Sequence, residues 1–121
     1  MTRVSLIQHR GVAIAYHDFS NIGDRQEALD AFRQSAELVR AQRAGSVLTL
    51  TNVAGSRFNK DILDGLKELT AGNKPFVKAG CIVGMSGLQR VAYMAVTAFS
   101  GRRLPTFQAE DEAKDWLVQQ G

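Results

Sequence analysis

The sequence predicts a single α/β domain with a mixed β-sheet of about five strands packed by about four helices. Three observations carry that prediction. Short apolar, β-branched runs alternate with longer stretches in which apolar residues recur every three or four positions, giving the order β-β-α-β-α-β-α-β-α. The run Ser46, Val47, Leu48, Thr49, Leu50, Thr51 is apolar nearly throughout, as a strand buried on both faces of a sheet is. The length of 121 residues, with 45% hydrophobic and 22% charged side chains, suits one domain whose core needs no metal or disulfide.

Taken in order, residues 4–8 and 12–17 read as two strands joined at Arg10-Gly11, a hairpin signal. Asp24 opens the first helix, with Glu27 at capping-box spacing. Leu29, Phe32, Ala36 and Val39 are expected to face the sheet, and Asp30, Arg33, Glu37 and Arg40 to form a solvated face. After the strand at 46–51 comes a loop over 52–58, then a second helix over 61–71 with Ile62, Leu66 and Leu69 inward. Gly72, with Pro75 beyond it, is the expected stop, and Gly65 inside the helix suggests close approach to a neighbouring backbone. Residues 76–84 form the next strand, and Gly84-Met85-Ser86-Gly87 turns into a third helix over 88–99. Its expected inner face is Leu88, Val91, Ala92, Ala95, Ala98 and Phe99, but Tyr93, Met94 and Val96 extend apolarity around the cylinder. That excess makes the helix a candidate contact for a second copy in a homodimer, a protein partner or a lipid; cover by neighbouring elements is an equal reading. Arg102 and Arg103 suit the negative end of this helix. Pro105 places the short strand at 104–108 on a sheet edge, and residues 110–119 form the last helix around Ala113, Trp116 and Leu117.

The net charge of +3 is dispersed, without a basic run or interleaved aromatics, which argues against nucleic acid as a partner. No stretch has the length and apolarity of a transmembrane segment or a signal peptide, and the single cysteine fits a reducing, cytoplasmic setting. Cys81, among apolar strand neighbours, reads as an inert thiol. His9, His17 and Asp18 match no zinc-ligand spacing, so neither metal nor cofactor is expected. Gly84-Met85-Ser86-Gly87-Leu88 approaches the nucleophile elbow but has Leu88 where its second glycine belongs. Ser86 is better read as a helix cap, with Ser86 and Gly87 offering amides to a lone anion. No phosphate-binding lysine follows these glycines.

The loop into the second helix concentrates polar chemistry around one aromatic ring. Ser56, Arg57, Phe58, Asn59, Lys60, Asp61 and Asp64 form the candidate partner-binding surface, because loops between a buried strand and a helix are held rigidly. Gly55 permits a positive φ, Ser56 is a candidate phosphorylation site or turn cap, and Asn59 caps the helix. An ordinary connecting loop with capping residues is an equal reading.

The order of elements, above all over 46–69 and 75–117, resembles the STAS domain, the fold of anti-sigma-factor antagonists and sulfate-transporter tails. It is most similar to the SpoIIAA-like branch, whose closing strand, Phe-rich turn and helix are matched here by Phe107, Glu110, Asp111, Glu112, Ala113, Trp116 and Leu117. The antagonists carry an Asp-Ser pair at the helix start whose serine is phosphorylated. The nearest positions here are Asn59 and Lys60, and Lys60 accepts no phosphate, so the resemblance does not bring that regulation with it. It implies a non-enzymatic regulatory module that binds an unidentified protein partner through residues 53–64. The alternative that it implies is a carrier of a small apolar ligand or lipid of SEC14-like type, with Tyr93, Met94 and Val96 lining a groove. An enzymatic reading ranks last, for want of an acid-base pair, a metal set or an activated nucleophile.

Overall fold

Strands β1 (Val4–His9) and β2 (Val12–Asp18) run antiparallel, with His9 opposite Val12. Between them, Arg10 and Gly11 both take positive φ (51° and 77°), the two-residue turn whose twist matches that of the flanking strands. The computed structural model describes residues 2–121. Beyond the hairpin, every strand pairing is parallel and is reached by a helical crossover. Helix α1 (Arg25–Arg40) leads to β3 (Val47–Asn52), and α2 (Lys60–Asn73) with a 3₁₀ turn (Lys74–Phe76) leads to β4 (Val77–Val83). Helix α3 (Gly87–Ser100) then leads to β5 (Thr106–Phe107), and α4 (Glu110–Gln120) closes the described chain. The strand order is β1-β2-β3-β4-β5, so the apolar run at the middle of the sequence is also the middle of the sheet.

Strand alternation divides the core in two. Ile14, Leu48, Leu50, Cys81 and Val83 point to one face, where Ala113 and Leu117 of α4 close a tight cluster. The opposite face carries α1, α2 and α3 over Phe19, Phe32, Val53, Ile62, Leu69 and Ile82. Helices α2 and α3 approach one another closely, and neither approaches the strands as α1 and α4 do. The single α/β domain with a mixed five-stranded sheet and four helices is the predicted one.

Several local expectations are corrected. Leu29 is 42% exposed, because the inward stripe of α1 is Ala28, Ala31, Phe32, Ser35 and Val39, one residue out of phase with it. Helix α3 is rotated further. It buries Gln89, Ala92, Val96 and Ser100 and leaves Leu88, Val91, Met94 and Phe99 exposed (62%, 75%, 63% and 58%). Polar anchors set that rotation: Gln89 donates to the Ser56 carbonyl (3.1 Å), and the Tyr93 hydroxyl donates to the Leu104 carbonyl (2.6 Å). Two hydrogen bonds, one buried and one part-buried, outweigh an apolar ridge that water can still cover. At the start of α1, Asp24 accepts from the Glu27 amide, but Glu27 pairs with Arg3 (3.1 Å) and does not complete the capping box. Gly72 lies within α2, beneath the Arg40 guanidinium, and Gly65 meets the Phe32 ring and not a backbone. Phe76 falls in the 3₁₀ turn, and β5 is only two residues long, on the edge that Pro105 implies.

Replacing Leu50 by alanine removes a fully buried side chain from the central strand and is expected to cost about 2–5 kcal/mol. Leu29→Ala, on the exposed side of α1, should stay within about 0.5 kcal/mol. Urea unfolding of both variants checks this assignment of faces; an equal loss in the two would overturn it.

Candidate functional site

Because α2 and α3 stand off the strands, a cavity of about 70 Å³ lies beneath them. Its floor is the sheet, through His17, Thr49, Thr51 and Ile82, and its roof is Leu66, Leu69, Ala92, Tyr93 and Val96. Phe58 and Met85 close one end and Arg102 and Leu104 the other. The space has room for more than one water, and its walls are mainly apolar with a few convergent polar groups.

One polar wall is a directed chain of hydrogen bonds. Arg40 Nε donates to Asn73 Oδ1 (3.0 Å), and Asn73 Nδ2 donates to Ser35 Oγ (3.1 Å). The Ser35 hydroxyl then meets His17 Nε2 at 2.7 Å, while His17 Nδ1 lies 3.0 Å from the Ala15 carbonyl. A carbonyl only accepts, so Nδ1 carries the proton and Nε2 accepts from Ser35. Burial pushes the His17 pKa down to about 4; the Ala15 carbonyl opposes this and the Arg102 charge adds to it. The ring is therefore neutral at pH 7.

Near this chain Arg102 turns inward. Sequence position suggests that it serves the C-terminus of α3, yet its Nη1 donates to the Thr70 carbonyl (3.4 Å) near the end of α2. Lys74 takes the α3 terminus instead, donating to the Ser100 carbonyl (3.3 Å). Gly80 makes the inward placement possible. A Cβ there would stand 2.5 Å from Thr49 Oγ1 and 3.0 Å from Arg102 Nη2, so the guanidinium occupies the space a side chain would fill. Burial lowers the Arg102 pKa to about 10, leaving it charged at neutral pH. Among the described residues no carboxylate pairs with it.

The predicted loop residues divide between interior and surface. Ser56 is fully buried and is no accessible phosphorylation site. Its hydroxyl donates to the Phe19 carbonyl and accepts from the Ile22 amide (2.9 Å), and its carbonyl receives Gln89. Bonds from the Asn21 amide to Ala54 and from the Arg57 amide to Ile22 (both 2.8 Å) complete the staple, with Gly55 at φ 72° between them. Phe58 is half-buried against the cavity, and Asn59 caps α2 by accepting from the Ile62 amide (3.0 Å). Arg57, Lys60, Asp61 and Asp64 are exposed. Ser86 and Gly87 are exposed at the start of α3, but the Ser86 amide already donates to Gln89 Oε1 (2.8 Å) and is not offered to an anion.

Elsewhere, His9 pairs with Asp115 (2.8 Å) beside α4, whereas His17 points to the helices α1 to α3, so the two histidines share no site. Cys81 is buried with its pKa raised to about 12 by burial, and its thiol stays protonated. The described residues contain no group of three or more His, Cys, Asp or Glu side chains placed to hold a metal ion, and no helix long and apolar enough to cross a membrane. Sequence reasoning missed Arg102, Gln89 and the His17–Ser35–Asn73 chain as parts of one site. The available signals were a glycine interrupting an apolar strand at position 80 and polar residues within otherwise apolar inner faces. No protein-family model, curated protein or solved structure matches the chain.

Ser56→Ala leaves the buried Ile22 amide without its acceptor and is expected to destabilise the fold by about 1–3 kcal/mol in chemical unfolding. His17 gives the fold a pH dependence of known sign. The unfolded ring takes its proton near pH 6.5 and the folded ring only near 4, so between these values the unfolded chain binds more protons. Stability therefore falls as pH drops from 6.5 to 4 and is unaffected by this group below that. At about 1.4 kcal/mol per pKa unit, the loss reaches about 3 kcal/mol. His17→Gln should flatten that part of the stability–pH curve, and an unchanged slope would reject the assignment.

Proposed function

We propose that this chain is a non-enzymatic binding domain of STAS-like, SEC14-like type that holds a small apolar molecule between its sheet and the α2–α3 pair. The observation that carries this reading is the largely apolar cavity of about 70 Å³ beneath two helices that stand off the strands. A domain with no ligand to accommodate gains stability by filling such space, since lost contacts around a void cost free energy. The buried polar groups nearest the cavity already hydrogen-bond to one another, which suits holding a molecule better than transforming it.

Recognition of a protein partner through the 53–64 loop is the weaker reading. Ser56 and Phe58 serve the interior, and Asn59 is engaged in capping. The remainder, Arg57, Lys60, Asp61 and Asp64, is an exposed group of mixed sign, and solvent weakens such charges.

The test is saturable binding of 1-hexanol, a neutral apolar probe, followed by calorimetry and by the rise in unfolding temperature. At about a hundred times Kd the gain is about 2.7 kcal/mol. Ala92→Leu places a larger side chain in the cavity roof and should abolish binding without loss of stability. Absence of hexanol binding to the wild-type chain, or equal binding to the variant, would reject the cavity as the site.

A further inference from the structure

The cavity has a cation at its outer end and nothing to neutralise it. Arg102 belongs at once to the wall of the cavity and to that of an open surface depression formed by Tyr93, Thr97, Arg103, Leu104 and Pro105. It therefore stands between the buried apolar space and the solvent-facing depression. Lys74 lies on the same side, close to Gly101, and none of the ion pairs among the described residues includes Lys74, Arg102 or Arg103. Among the described residues, the only acceptor of the Arg102 guanidinium is one backbone carbonyl at 3.4 Å, a long contact for a group with five donors. A structural arginine at a helix end is ordinarily left in water, where its charge is solvated. This one is drawn inward over a strand glycine.

From this we infer that the ligand of the cavity is an amphipathic monocarboxylate, its apolar body between the sheet and α3 and its carboxylate on Arg102. The inference rests on the binding reading given above and names the chemical class of its ligand. A carboxylate matches the planar fork of a guanidinium through two parallel hydrogen bonds. The polar chain along the cavity wall offers no competing anion site, because the His17 ring is neutral and both its nitrogens are engaged. The exposed Arg103, at the mouth, adds favourable potential for an anion arriving from solvent.

The experiment compares hexanoate, 1-hexanol and acetate on the wild-type chain by calorimetry at pH 7 and low salt, then repeats the series on Arg102→Gln. Hexanoate should bind about tenfold to a hundredfold more tightly than 1-hexanol, the contribution of a charge-assisted hydrogen bond to one guanidinium. Acetate, with the head but almost no apolar body, should bind more weakly than either. In Arg102→Gln the two six-carbon ligands should become equal in affinity. Equal affinities in the wild-type chain, or a preference for hexanoate that survives the substitution, would overturn the assignment of the carboxylate to Arg102. Acetate binding as tightly as hexanoate would overturn it as well, by showing an anion site with no use for the cavity. If 1-hexanol binds and hexanoate gains nothing, the ligand class is wrong and the cavity reading stands; if neither binds, the cavity reading itself fails. The wild-type comparison needs no variant to fold.

Discussion

A single buried residue, Ser56, holds together the three pieces of chain that define the open face of this fold. Its hydroxyl donates to the Phe19 carbonyl and accepts from the Ile22 amide, fixing the turn after β2 against the loop after β3. Its backbone carbonyl accepts from the Gln89 side-chain amide and so sets the rotation of α3. An unpaired polar group in such a place is expensive, which makes the arrangement close to all-or-none. The position of Phe58 at one end of the cavity and of Ala92, Tyr93 and Val96 in its roof follow from it.

Two polar systems of opposite character line the cavity. In the chain from Arg40 through Asn73 and Ser35 to His17, each side chain is hydrogen-bonded to the next. Arg102, by contrast, is a cation with a single long hydrogen bond and no counter-ion among the described residues. Its charge reaches the chain, since Arg102 helps to keep the His17 ring neutral. Lys74 and Arg102 have in effect exchanged helix ends, each bonding a carbonyl of the helix that its neighbours in sequence do not continue.

Periodicity made the framework legible. The hairpin at Arg10-Gly11, the central position of β3, the Asn59 cap and the edge strand after Pro105 follow from local chemistry that acts within a few residues. What could not be read locally was decided by partners distant in sequence. Leu88, Val91 and Phe99 form as plausible an inner ridge as Ala92 and Val96, and only the bonds from Gln89 to Ser56 and from Tyr93 to Leu104 choose between them. Ser56 looks like a surface loop serine until the turn at Phe19–Ile22 is brought over it. Arg102 looks like a dipole partner for the helix it follows, and its inward course depends on the missing side chain at Gly80. The candidate site was thus less legible than the fold, because its residues come from three strands, three helices and the loops between them and meet only in the folded chain.

The two sides of the sheet also differ in how they respond to compression. Beneath α4, Ile14, Leu50, Ala113 and Leu117 are filled to the point of full burial. Under α2 and α3 there is free space. Void volume eliminated on unfolding makes the volume change negative, so hydrostatic pressure favours states in which that space is lost or flooded. The yielding layer is accordingly the one roofed by α2 and α3, while β3 and β4 stay clamped to α4 as a stiff base.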